Sequence, residues 1–288
     1  MNFRFFHKFR MKYKCSQQKI EYPIFLNSLP KSGTHLLSKA LTGLPGIKHS
    51  GSHLERKKIA EFVDPGVDFP LKGREDIHIP NDLTAIDRLL NTIKTGQFIT
   101  SHMVFNPPMH NLLKKLNYKV LLLMRDPRDV VLSWANFVAK EKTHLLYPYF
   151  SEKSLDYCIA CGIKGIEKEI TLTRRQPPIE ELIRRHSKWK TDGGAFFIKF
   201  EDLIGEEGGG NKERQRNVLR EMVKFIELEC DDKVIDSICT NLFGGTYTFN
   251  KGVIGRWREK YTADHIALFK KEAGHLLIEL GYESDLNW

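Results

Sequence analysis

The chain alternates short apolar runs with longer stretches in which apolar residues recur every three or four positions. The short runs predict strands over 23–27, 97–100, 119–124 and 195–200. The longer periods predict helices over 33–44, 108–116, 127–139, 154–170, 179–190, 212–228 and 262–280. Alternation of this kind marks βαβ units, so the expected class is α/β: a single domain with a central parallel sheet flanked by helices. Ligands of such sheets sit beyond the carboxyl ends of the strands. The chemistry is therefore to be sought just after the first three predicted strands. Segments 45–96 and 140–153 follow neither period, and Pro65, Pro70 and Pro80 interrupt the first. Both predict long loops, a frequent seat of function. Gly208, Gly209 and Gly210 stand beside Glu206 and Glu207, whose charge repels phosphate, so a loose surface turn is expected there. No internal repeat is found.

With 288 residues, 41% of them hydrophobic, the chain can bury one sizeable core and is not disordered by composition. Residues 21–288 are expected to form the domain, and 1–20 a basic tail. The first fourteen residues carry five Lys or Arg and four Phe without the continuous apolar stretch of a signal peptide. No run approaches the ~18 apolar residues of a membrane span. Net charge is +9, which favours a polyanionic partner without choosing among nucleic acid, acidic lipid, anionic polysaccharide and phosphorylated nucleotide. Five cysteines (Cys15, Cys158, Cys161, Cys230 and Cys239) give no disulfide framework, which suits a reducing, cytoplasmic setting. Cys158 and Cys161 have no second pair to complete a zinc site and are expected to be packed thiols. No metal is predicted.

The first predicted strand runs into L-P-K-S-G-T-H, residues 29–35, which opens a helix. Amides at a helix start and the helix dipole favour an anion. Gly33 lets the backbone approach a phosphate, Lys31 adds a full charge, and Ser32 and Thr34 add hydroxyl donors. This P-loop-like strand-loop-helix differs from the NTPase loop G-x-x-x-x-G-K-S/T, since no Gly lies five residues before Gly33 and no Lys follows it. A merely capped helix, with Ser32 or Thr34 as the cap, fits the same residues. The third predicted strand ends in R-D-P-R-D-V-V-L-S, residues 125–133. There Arg125 can fork onto a phosphate, and Ser133, about two helical turns on, can line the same groove. Arg128 and Asp129 are expected to be surface charges. Near the C-terminus, T-F-N-K-G-V-I-G-R-W-R, residues 248–258, sets Lys251 before Gly252 in a loop able to wrap a terminal phosphate, or to form a turn anchored by Trp257.

In this order and spacing the three stretches resemble the cytosolic-type PAPS-dependent sulfotransferases, where PAPS is 3′-phosphoadenosine 5′-phosphosulfate. That family reads P-K-S-G-T-T-W, R-x-x-x-D-x-x-x-S and R-K-G-x-x-G-x-W; this chain reads P-K-S-G-T-H-L, R-D-P-R-D-V-V-L-S and N-K-G-V-I-G-R-W. The likeness runs from about residue 23 to the C-terminus and includes F-E-D-L at 200–203, where the family has a Y-E-D-like stretch. It implies PAPS as co-substrate. Lys31, Ser32, Gly33, Thr34 and His35 would lie at the 5′-phosphosulfate, Arg125, Ser133, Asn250, Lys251 and Gly252 at the 3′-phosphate, and Phe200 near the adenine. Departures are His35 and Leu36 for Thr and the adenine-stacking Trp, Phe200 for Tyr, and Asn250 for Arg, which removes one charge.

The second predicted strand ends in Ser101-His102, where the family has T-H or S-H with the His as base. An alcohol is a poor nucleophile, and an imidazole can take its proton near neutral pH. Of eleven histidines only His102 ends a predicted strand; His35, inside the phosphate loop, is its rival. The family often has Lys two residues earlier, where Thr100 stands here. The implied reaction is in-line displacement at sulfur, with Lys31 and His102 as catalytic residues and positioning and electrostatics supplying most of the acceleration. Partners implied are PAPS and a hydroxyl-bearing acceptor (small alcohol, phenol or carbohydrate), with no nucleic acid. A homodimer is allowed, although no copy of the family's C-terminal K-T-V-like stretch is seen. Acceptor-lining candidates are His53, Phe62, Phe69, Phe105, Tyr147, Tyr149 and Phe150. The rivals are a nucleotide-dependent kinase, whose G-K-S/T is not found here, and a non-catalytic module binding PAPS or a sulfated glycan.

Overall fold

Strand β1 (Ile24–Ser28) is buried along its whole length. It reads as a continuous apolar run because a central strand of a parallel sheet meets packed layers on both faces. The computed structural model describes residues 20–67, 69, 79–172, 175–245 and 252–288; the expected tail lies outside them apart from Ile20. After β1 come α1 (Thr34–Thr42), β2 (Lys48–Leu54), α2 (Arg56–Ala60), α3 (Ile79–Asn91) and β3 (Gln97–Ser101). Next are α4 (Pro107–Lys115), β4 (Lys119–Met124), α5 (Pro127–Val138), α6 (Tyr147–Phe150), α7 (Leu155–Lys164) and α8 (Lys168–Thr171). The chain continues through α9 (Ile179–Thr191), β5 (Phe196–Lys199), α10 (Phe200–Leu203), α11 (Lys212–Phe225), α12 (Asp232–Asn241) and α13 (Ala263–Glu279).

The strands form a five-stranded sheet in the order β2-β3-β1-β4-β5, with every pairing parallel. This is the expected α/β architecture. Period two along β1 sends alternate residues to opposite layers. Phe25 packs with Trp189, Leu122 and the residues of α5, α7 and α13, whereas Ile24 and Leu26 pack with Leu37 and Leu41 of α1 and Leu219 of α11. With β1 central, the turns that follow β1, β3 and β4 emerge side by side at one rim.

Five expectations are corrected. Segment 45–96 is not a loop: it holds β2, α2 and α3. K-H-S-G-S-H-L has no apolar alternation because β2 is an edge strand, carried by its ladder to β3. Pro80 falls in the first turn of α3, where its missing N–H costs nothing. Likewise 140–153 contains α6, and 154–170 divides at Gly165, whose φ of 79° ends α7. The triple glycine is a packed turn. The Gly210 N–H donates to the Gly205 carbonyl at 2.8 Å, and a Cβ on Gly208 would lie 2.7 Å from the carbonyl oxygen of Gly252. Arg128 and Asp129 are buried, at 1% and 2% exposure, rather than on the surface. Cys158 and Cys161 are buried free thiols, as expected of packed residues. Among the described residues no helix is long and apolar enough to cross a membrane.

Candidate active site

The loop between β1 and α1 turns twice through positive φ, at Lys31 (69°) and at Gly33 (99°). Such turns point amides into one concavity at the positive end of the α1 dipole, although the Ser32 N–H is taken by the Leu29 carbonyl at 3.1 Å and the Leu36 N–H by the Gly33 carbonyl at 2.8 Å. The non-glycine Lys31 held at positive φ is strained, by ~1–2 kcal/mol, as is common at ligand-holding loops. Gly33 is fixed by space as well as by φ, because a Cβ there would lie 2.6 Å from Cδ2 of Phe200. Ser32 is fully buried and its Oγ has no partner. Lys31 Nζ sits 3.7 Å from the centroid of the Phe137 ring on α5, and burial lowers its pKa to about 8, partly offset by Glu141. Ser133 lies one turn before Phe137 on α5 and is half-buried. His35 lies in the first turn of α1, its pKa lowered by partial desolvation of the ring and then by Lys31.

Phe200 joins this loop to the end of β4. Its buried ring touches the Gly33 position on one side and lies 4.4 Å from the Arg125 guanidinium carbon on another. Arg125 Nη2 donates to Asp129 Oδ2 at 2.9 Å and to the Val253 carbonyl at 2.8 Å, and its buried Nε has no partner. The same Asp129 carboxylate accepts from the N–H of Gly255 at 2.8 Å and of Trp257 at 3.1 Å. The third motif is thus tied to the second by one buried carboxylate, and the Ile254 N–H rests on the Gly208 carbonyl at 3.0 Å. Gly252 adjoins this segment; Asn250 and Lys251 lie outside the described residues.

His102 follows β3 directly. Its Nδ1 is 2.9 Å from the Ser28 carbonyl oxygen and 3.2 Å from Ser28 Oγ, which lies 2.7 Å from Thr34 Oγ1 in the phosphate loop. A carbonyl only accepts, so Nδ1 carries the proton of the neutral ring and the lone pair is on Nε2. Burial above all, then the neighbouring His53, lowers the His102 pKa to about 3, so the ring is neutral at pH 7. His102, Thr34, Gly33, Phe200 and Arg125 are therefore linked by successive contacts along one rim of the sheet, with Lys31 and Ser32 in the same loop.

The backbone after β3 is clamped by residues that pattern reading missed. Asn27, fully buried, donates through Nδ2 to the Met103 carbonyl at 2.7 Å and accepts the Met103 N–H at 3.0 Å. Trp189 Nε1 donates to the same carbonyl at 2.8 Å, and His186 Nε2 is 3.3 Å from the His102 carbonyl. A signal existed: Asn and Ser closing an otherwise apolar central strand need polar partners inside the protein. Of the acceptor-lining candidates, Phe150 is wholly buried against Trp134, with ring centroids 5.3 Å apart. Phe62, Phe69, Phe105 and Tyr149 are partly buried against the core, and His53 packs on His102. Among the described residues no cluster of three or more His, Cys, Asp or Glu is arranged to hold a metal ion.

The fold is shared with solved sulfotransferase structures. The mouse sulfotransferase SULT7A1 complexed with PAP matches at TM-score 0.59 and 18% identity, over 90% of this chain and 89% of that one. Retinol dehydratase in complex with androsterone and the inactive cofactor PAP matches at TM-score 0.56 and 16% identity, over 88% and 80%. No curated protein is matched by sequence. The family model for the sulfotransferase domain matches residues 21–245. That span holds the phosphate loop, the basic end of β4 and His102, and on it the chain belongs to the sulfotransferase domain family.

Proposed function

We propose that the chain moves a sulfuryl group from PAPS to the hydroxyl of an acceptor by in-line displacement, with His102 as base and Lys31 as the cation at the transfer point. One observation supports this above the others: an unbroken run of contacts from His102 through Ser28, Thr34, Gly33 and Phe200 to Arg125 and the third motif. The residues present also fit the donor. Ser32 Oγ and Arg125 Nε are buried polar atoms without partners, and phosphate oxygens would satisfy both. The glycine at position 33 keeps the loop backbone open to a phosphate. The fold neighbours crystallised with PAP support the same donor. Residues 21–288 are taken as one domain.

When bound, the donor supplies a sulfuryl group on a phosphate leaving group. His102 takes the acceptor's proton at Nε2 while Nδ1–H stays on the Ser28 carbonyl. The acceptor O–H bond breaks as the N–H bond forms, and the freed oxygen pair makes the new O–S bond. The pair of the old S–O bond leaves with the phosphate, where Lys31 and the amino end of α1 offset the charge. Thr34, Ser32 and Gly33 hold the phosphosulfate end, with His35 at its margin. Arg125, Ser133, Gly252 and the neighbouring Asn250 and Lys251 are assigned to the 3′-phosphate, and Phe200 to the wall between the two ends.

The test is thermal denaturation with adenosine 3′,5′-bisphosphate and, separately, ATP, followed by transfer assays on phenol, sterol and glycan acceptors. At ~100 times its Kd a ligand adds ~2.7 kcal/mol. Stabilisation by the bisphosphate together with sulfate transfer is expected. Stabilisation by ATP alone overturns the donor, and bisphosphate binding without transfer to any acceptor makes the protein a binding module.

A further inference from the structure

His53 escapes a search of strand ends because β2 does not read as a strand. The β2–β3 register shifts between His49, opposite Phe98, and His53, opposite Thr100, so four residues of β2 advance against two of β3. Bulges of this sort re-aim side chains and recur beside active sites. Here the shift brings His53 Nδ1 to 2.9 Å from Thr100 Oγ1 and its ring centroid to 4.9 Å from that of His102, at 62°. The described groups that act on the two rings are His49 from β2, His35 from α1, Lys31 from the phosphate loop and His186 from α9. None of these is an acid. A proton on either ring therefore raises the cost of a second on the other, with no carboxylate among these groups to share it. Burial and these neighbours lower the pKa of His53 to about 4 and that of His102 to about 3.

We propose that His53 is a positioning residue for His102: held by Thr100, it braces the ring of the base and makes the pair a site for one proton, keeping Nε2 of His102 bare until the acceptor arrives. The catalytic consequence rests on the sulfuryl-transfer reading, whereas the pair itself does not.

The experiment is a histidine-ring NMR titration of the full chain as wild type, H53F, H53N and T100V, with H102Q to assign the His102 signal. Transfer kinetics against pH are measured alongside. In H53F and H53N the His102 titration should move up by roughly half a unit or more. The acid limb of kcat should move with it, while the donor KM stays within about twofold. H53F, which keeps the ring's bulk, should retain more activity at neutral pH than H53N, which keeps only a partner for Thr100. T100V leaves every ring in place and should move the His102 titration the same way by less, which covers the case of H53F failing to fold. An unmoved His102 titration in folded variants, or a kcat lowered by one factor at all pH values, overturns the proposal. A shifted titration in a protein that transfers sulfate to nothing leaves the pair standing and overturns the transfer reading instead.

Discussion

In the proposed reaction His102 and Lys31 divide the chemistry because their surroundings act on them in unlike ways. For His102, burial opposes a charged ring, so the lone pair at Nε2 is available well below pH 6. Replacing it with Ala should reduce transfer by about 10²–10⁴-fold while the bisphosphate still stabilises the fold to within about 0.5 kcal/mol of wild type. Retained transfer would remove His102 from the role of base. For Lys31, burial beside Phe137 lowers the pKa to about 8. The useful form is the ammonium, which is lost as pH rises, so kcat/KM for the donor should fall above about pH 8. Bound phosphate favours the charged form and should push the corresponding limb of kcat higher. Arginine at position 31 stays charged throughout and should abolish the alkaline limb in a pH–rate profile, even where it lowers the plateau. A limb that survives in K31R would have to come from another group.

At the scale of elements, the proposed donor site is a junction between the start of α5 and the third motif, and Asp129 pins the two together. The carboxylate, 1% exposed at the side chain, takes two backbone N–H groups and a guanidinium, and Asn cannot replace that pattern because its amide would face donors. D129N should lose about 3 kcal/mol of stability and weaken bisphosphate binding at least tenfold, both readable from denaturation with and without ligand. A stable D129N with unchanged affinity would mean that the third motif holds its shape unaided. Sequence reading placed Asp129 on the surface because charge at a helix start is ordinarily solvated; nothing local reveals a loop arriving from residue 255 to bury it. The same division of local and distant causes runs through the fold. β1, β3 and β4 were legible because strands inside a parallel sheet are apolar, β5, although an edge strand, because Phe196, Phe197 and Ile198 make an apolar run, and the phosphate loop because its residues are contiguous. β2 was not, since its pairing with β3 supplies what its own residues do not. Asn27, Trp189 and His186 were missed for that reason, and His53 was read only as an acceptor-lining candidate: each matters through a partner far along the chain.

Across the whole molecule, much of the surface charge is paired, as in Arg220 with Asp232 and Arg216 with Asp236, and such exposed pairs contribute little to stability. The costly charge is Arg128, 1% exposed. Its guanidinium carbon lies 4.0 Å from the Trp257 ring and 4.5 Å from that of Trp288, with Asp126 at 2.7 Å and Glu283 as further partners. The carbonyl of Arg128 also receives the Tyr261 hydroxyl at 3.0 Å, and Glu201 joins the Asp126 N–H to the Tyr282 hydroxyl. The segment after α13 is thereby folded back onto the start of α5, with Trp288 against Trp257 at 5.5 Å between ring centroids. Trp257 belongs to the third motif, so Trp288 buttresses the loop to which the proposal assigns the 3′-phosphate. Replacing Trp288 with Ala removes one face of the stack around Arg128 and the edge partner of Trp257, at a cost of about 2–3 kcal/mol, or roughly 5–10 °C in Tm. Because His102 stands on the other side of β1 from this stack, kcat at saturating donor should change by less than about threefold while donor KM and bisphosphate Kd rise several-fold. Phenylalanine at position 288 keeps a ring over the guanidinium and should restore most of the affinity. Should W288A instead lower kcat and leave nucleotide binding intact, the C-terminal segment does not support the donor site, and the stack around Arg128 serves the fold alone.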